Sequence, residues 1–252
     1  MPCITHKRIT HPADLGGDGL HLCDGHHYII EDSIVDFSAL PLEVMDEAVG
    51  VSWGSSAELR RCLVRGAGKL FLCGSGDADK ASLEDGRTVE LVECVLEDAG
   101  RRLPEVQAGM AVTLYRCLVR NWGCPTRHTV RDFGAWAHNG GSLVAVDTVF
   151  WQDGFWRPLP QMLADMANHL GQAVNDEGLA GLLKPRNWLP GVCRGLTETD
   201  TGRAYALRCW SNRWWISLGQ RARGRMSDAQ AHALVTALES MVARLERDLK
   251  TA

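Results

Sequence analysis

The 252-residue chain carries 27 Lys/Arg against 31 Asp/Glu, a net charge of −4, with 45% hydrophobic residues. That balance excludes wholesale disorder and suits one large or two smaller packed domains. No apolar run is long enough to cross a bilayer as a helix, and the opening Met-Pro-Cys-Ile-Thr-His-Lys-Arg lacks the apolar stretch of a signal peptide, so the expectation is a cytoplasmic protein with no membrane partner.

Residues 1–40 read as irregular and rich in His and Cys. Cys3-x-x-His6 and Cys23-x-x-His26 have the spacing of metal ligands, and zinc takes four such nitrogen and sulfur donors, so a structural Zn on Cys3, His6, Cys23 and His26 is a candidate cofactor. The remaining cysteines, out of nine with no Cys-x-x-Cys pair, read as reduced core thiols.

Gly50-Val51-Ser52-Trp53-Gly54 has the Gly-x-Ser-x-Gly form of a nucleophile turn. In an α/β-hydrolase an acid and a histidine follow it, and Asp147 or Asp165 with His169 or His232 keep that order. Only Ala48-Val49 precede the turn as strand, which makes a serine hydrolase using Ser52 the alternative reading. The spacing predicts a helix over 57–64, a short strand over 69–73, a loop over 74–86, and a helix over 88–99 with Val89, Val92, Val95, Leu96 and Ala99 on one face. No internal repeat stands out. Residues 1–110 thus read as an acidic, mainly helical region, with 10 Lys/Arg against 19 Asp/Glu.

Residues 111–183 read as a helix-turn-helix-like segment. An amphipathic helix reaches Trp122, a turn follows at Cys124-Pro125-Thr126, and a basic helix runs from Arg127 to Trp136. A strand over 143–151, a turn at Gln152-Asp153-Gly154 and Phe155-Trp156-Arg157 would form a hairpin wing, with a further helix over 161–174. Such a unit places donors at the start of its second helix against base edges. Arg127, His128, Thr129 and Arg131 would read bases, while Arg116, Arg120 and Arg157 would contact phosphate.

Residues 184–252 hold a Pro- and Gly-rich linker, a basic hairpin, and a long helix entered at Ser227 with the apolar stripe Ala231, Leu234, Leu238, Met241, Leu245 and Leu249. In the hairpin Arg203, Arg208 and Arg213 interleave with Trp214 and Trp215, and Arg221, Arg223 and Arg225 follow in a loop. Arginines grip phosphates and aromatic faces stack bases. The expected fold class is therefore α+β. The expected function is non-enzymatic binding of DNA or RNA, as a regulator or as a subunit of a nucleoprotein complex or homodimer. A protein-interaction module without nucleic acid is a third reading.

Overall fold

The computed structural model describes residues 2–10, 18–40, 45–74, 81–84, 86–100, 104–122, 135–137, 141–151, 196–199, 202–207, 213–218 and 228–250. The chain winds as a β-solenoid with three faces. Its first turn is β1 (Cys3–Thr5), β2 (Arg8–Ile9) and β3 (Asp18–Leu22); the second is β4 (His27–Glu31), β5 (Ile34–Asp36) and β6 (Glu47–Val51). The third is β7 (Ser56–Arg60), β8 (Leu63–Arg65) and β9 (Lys69–Cys73), followed by one helical turn, α1 (Ala81–Glu84). The fourth is β10 (Thr88–Val92), β11 (Val95–Ala99) and β12 (Glu105–Val106), and the fifth is β13 (Ala111–Tyr115), β14 (Leu118–Trp122) and β15 (Ala135–Ala137). The ten-residue β16 (Ser142–Trp151) pairs in parallel with both β13 and β14 and so closes two faces at once. On the third face the strands stack β3-β6-β9-β12-β15, and antiparallel β18 (Gly202–Leu207) and β17 (Leu196–Thr199) extend that sheet. Antiparallel β19 (Arg213–Leu218) pairs with β16. A helix, α2 (Asp228–Asp248), completes the described chain.

A seven-residue pattern builds the corner between the first two faces. Ile30-Glu31-Asp32-Ser33-Ile34-Val35-Asp36 recurs as Leu59-Arg60-Arg61-Cys62-Leu63-Val64-Arg65, then as Leu91 to Glu97, Leu114 to Arg120 and Ala145 to Trp151. Its first residue is buried within the solenoid. Its third sits at positive φ, between 46° and 53° at Asp32, Arg61, Glu93, Arg116 and Asp147, and at 51° at His6 in the turn before. A left-handed residue turns the strand sharply. Its fourth is small and polar, facing inward to bond carbonyls that the bend exposes. Cys94 Sγ lies 3.4 Å from both Leu59 O and Val92 O, Cys117 Sγ 3.2 Å from Leu91 O, and Thr148 Oγ1 3.1 Å from Val146 O. Cys62, Cys94 and Cys117 are buried free thiols stacked between Ser33 and Thr148, as reduced core cysteines should be. Burial and neighbouring thiols push the Cys62 and Cys94 pKa values upward, which keeps them protonated donors.

The fifth residues, Ile34, Leu63, Val95, Leu118 and Val149, point out of the solenoid yet are buried, because α2 covers them with Ala231, Leu234, Val235, Leu238, Met241, Leu245 and Leu249. The seventh residues form an ion-pair ladder beside that seam. Asp36, Arg65, Glu97 and Arg120 pair in succession, and Glu246 and Glu239 of α2 join at 3.0 Å and 2.9 Å.

The expected α+β class with a mostly helical N-terminal region is thus wrong. The helices expected over 57–64 and 88–99 are β7–β8 and β10–β11, and the first helix of the expected helix-turn-helix is β13–β14. Strands pointing alternate residues inward, broken by one left-handed residue and flanked by a second buried row under α2, space their apolar residues three and four apart. That mimics a helical period. The strands expected over 69–73 and 143–151 are present as β9 and β16, but β16 pairs in parallel with β13 and β14 instead of forming a wing. Strands do occupy 202–207 and 213–218, yet they join different sheets, so they form no hairpin with each other. The C-terminal helix exists, and its stripe packs on the solenoid.

Candidate catalytic site at Ser52

The candidate residues lie on the third face. Ser52 follows β6 directly and opens a tight turn whose central residues, Trp53 and Gly54, have φ of 55° and 76°, closed by Ser55 N donating to Ser52 O at 3.2 Å. Two positive φ values suit the mirror-image type I′ turn, which asks for glycine at its second centre. The turn below, with Asp24 at φ 70° and Gly25 at 71°, has the same form and is tied to it by Gly25 N donating to Trp53 O at 3.1 Å. Ser52 N donates to Leu22 O at 3.1 Å, extending the β3–β6 ladder to the serine.

That ladder pairs His21 with Gly50. The imidazole therefore stands beside the serine, with Nε2 2.7 Å from Ser52 Oγ. On its other side, Nδ1 lies 3.5 Å from Asp18 Oδ2. A carboxylate on that side favours the tautomer with the proton on Nδ1, leaving Nε2 free to accept the serine proton. Gly50 makes the arrangement sterically possible, since a Cβ there would lie 2.9 Å from Asp18 Oδ2 and 3.4 Å from His21 Cδ2. The Trp53 ring meets His21 edge-on at 5.2 Å. Ser52 is 7% exposed, whereas the His21 and Asp18 side chains are 32% and 27% exposed, so the group opens to solvent at its acid–base end.

The amides beyond the serine already hold a carboxylate. Trp53 N and Gly54 N donate to the two oxygens of Glu84, at 2.6 Å and 3.4 Å. Glu84 is fully buried and ties α1 to this turn. Consecutive amides in such a turn form a concave anion site, the kind that holds a developing oxyanion in acyl transfer.

Deeper along the face, Asp18, Glu47 and Lys69 occupy one register position on β3, β6 and β9. The Lys69 ammonium donates to the Glu47 carboxyl in a short contact and lies 3.1 Å from Asp46. Burial, then a hydrogen bond to Asp18, push the Glu47 pKa upward, outweighing the opposing pull of Lys69.

The sequence reading set an acid and a histidine after Ser52, whereas the side chains that the structure places beside Ser52 are His21 and, behind it, Asp18. They precede it, in the order Asp18, His21, Ser52, and the signal was an Asp-x-x-His one solenoid turn before the serine. Asp147 stands instead at a left-handed corner, and His232 is exposed on α2. Asp165 and His169 lie outside the described residues.

The expected nucleic-acid residues are scattered or lie outside the described residues. Arg116 is a corner residue whose Nε is 3.3 Å from Glu93, and Arg120 is committed to Glu97 and Glu239. Arg127, His128, Thr129, Arg131, Arg157, Arg208, Arg221, Arg223 and Arg225 lie outside the described residues; of Arg203, Arg213, Trp214 and Trp215 only the strand backbone is described. The first helix of the expected helix-turn-helix is β13–β14 and the end of its second lies in β15, which removes that motif; residues 123–134 lie outside the described residues. Of the expected zinc ligands, Cys3 is in β1, His6 is at the first corner, and Cys23 and His26 flank the Asp24-Gly25 turn. Among the described residues no three His, Cys, Asp or Glu side chains are grouped to hold a metal. No helix among the described residues is long and apolar enough to cross a membrane. No known protein family, curated protein or solved structure matches the chain.

Proposed function

We propose that the protein is a serine hydrolase acting on an acyl ester, with Ser52 as nucleophile, His21 as general base and acid, and Asp18 as the carboxylate that orients the imidazole. The observation that carries this reading is the 2.7 Å contact between Ser52 Oγ and His21 Nε2, with Asp18 on the opposite ring nitrogen. That is the nucleophile–base–orienter relation that activates a hydroxyl of otherwise high pKa. As Oγ bonds to the acyl carbon, its proton passes to Nε2, and the same proton then leaves on the departing alkoxide. Water next attacks the acyl-serine; His21 takes a proton from it and returns one to Oγ. The oxyanion forms on the former carbonyl oxygen of the ester, and it takes the Trp53 amide only by displacing Glu84.

The test is a fluorophosphonate probe followed by mass spectrometry, with hydrolysis of p-nitrophenyl acetate as the activity readout. The expected result is one adduct on Ser52, absent in Ser52→Ala, with ester hydrolysis lost in the same variant. No adduct on the folded protein, or an adduct and hydrolysis that persist in Ser52→Ala, overturns the assignment.

A further inference from the structure

The ladder register sets a second carboxyl behind the first, and this inference rests on the Ser52–His21–Asp18 reading. We propose that Glu47 is a positioning residue that, braced by Lys69, hydrogen-bonds the Asp18 carboxylate and fixes which oxygen faces His21. Three observations support it. Asp18, Glu47 and Lys69 are direct neighbours across three successive strands, where the spacing is about 4.8 Å. Glu47 is 4% exposed, and its carboxyl is held by Lys69 from one neighbouring strand, with Asp18 at the paired position on the other. Gly50 leaves the space into which Asp18 Oδ2 reaches toward the imidazole.

The donors and acceptors run consistently along this row. Lys69 N–H donates to one Glu47 oxygen, and the protonated second oxygen donates to Asp18. Asp18 Oδ2 faces His21 Nδ1 at 3.5 Å, and Nε2 accepts from Ser52. The upward push on Glu47 supplies the proton that the Glu47–Asp18 link needs, because two ionised carboxyls there would repel. The charged groups facing Glu47 are Asp18, Asp46 and Lys69, with Glu105 acting on Lys69 from the next strand. Without the link, Asp18 can rotate and the imidazole loses the carboxylate that selects its tautomer.

The experiment compares the full-length protein with Glu47→Gln and Glu47→Leu. It measures the pH-dependent rate of fluorophosphonate labelling at Ser52, and it reads the His21 tautomer by nitrogen–proton correlation NMR. Glu47→Gln keeps a donor toward Asp18, so it is expected to retain the Nδ1–H tautomer and to label within about threefold of wild type. Glu47→Leu is expected to label at least about tenfold more slowly and to move His21 toward the Nε2–H tautomer, effects of the size seen when a supporting neighbour is removed. Wild-type rate and tautomer in Glu47→Leu overturn the proposal while leaving the Ser52 reading intact. Should Glu47→Leu fail to fold, Glu47→Gln decides: retained rate and tautomer sustain the proposal, and a tenfold loss overturns it. If wild type itself carries no label on Ser52, it is the underlying hydrolase reading that fails.

Discussion

Gly50 shows how one missing atom can govern a site. Its backbone is ordinary strand, and its value lies in the space it leaves for Asp18 and His21. Gly50→Ala is therefore expected to leave the circular dichroism unchanged and to slow Ser52 labelling by about 10- to 100-fold, since displacing a catalytic group by a fraction of an ångström to an ångström costs rate on that scale. Glu84→Ala reports on a different bond. It strips the Trp53 and Gly54 amides of their carboxylate in a buried setting, where an unsatisfied donor costs about 1–3 kcal/mol. Urea unfolding checks this, and a variant as stable as wild type would mean the amides find another partner. At this scale the sequence was partly legible. Gly-x-Ser-x-Gly marked a tight turn that the structure contains, since the turn needs Gly54 and the crowded histidine beside it needs Gly50. Asp18-x-x-His21 is a local spacing, but the approach of His21 to Ser52 is created by stacking β3 on β6 across 31 residues, which no local rule reveals.

A strand here is only two to five residues over most of the solenoid, and each is stabilised by neighbours above and below rather than by its own length. This is why β10 and β11 passed for one helix while α2, with an apolar stripe running along 21 residues, was readable. The docking of α2 should be a large part of the stability. Leu238 is 3% exposed and packs on the outward row of the second face, so Leu238→Ala is expected to cost about 2–4 kcal/mol, measured as a fall in denaturation midpoint. The ion-pair ladder beside α2 gives an acid response. Burial works to raise the Asp36 pKa, but hydrogen bonds from Arg65 and Ser38 outweigh it and hold it at about 2. A lowered folded pKa contributes stability that is present above the unfolded value of about 3.9 and is lost as pH falls through the folded value. Wild type should thus lose stability between about pH 4 and pH 2, and Asp36→Asn should lose less over that interval; equal acid slopes would refute the assignment.

For the molecule as a whole, equivalent positions stand 26, 29, 32, 23 and 31 residues apart along the first face. The repeat went unseen because the connections at the other corners vary in length, which breaks any fixed period, while the seven-residue corner pattern is constant. The corner residues also alternate in sign from the second turn on, Asp32, Arg61, Glu93, Arg116 and Asp147, with Arg61 bonded to Asp32 by two 2.8 Å contacts. Arg61→Glu would set three acids in succession. It is expected to lower stability by about 1–2 kcal/mol at low salt and to recover partly in about 0.5 M NaCl, because like charges directly opposite repel and salt screens them. Salt-independent melting would show that the row has no electrostatic role. Each such pair at a surface adds little energy of its own. The order of the row carries more than any single pair: a stack that skipped one turn would set acid against acid and base against base, so the alternation favours the observed sequence of layers over that one.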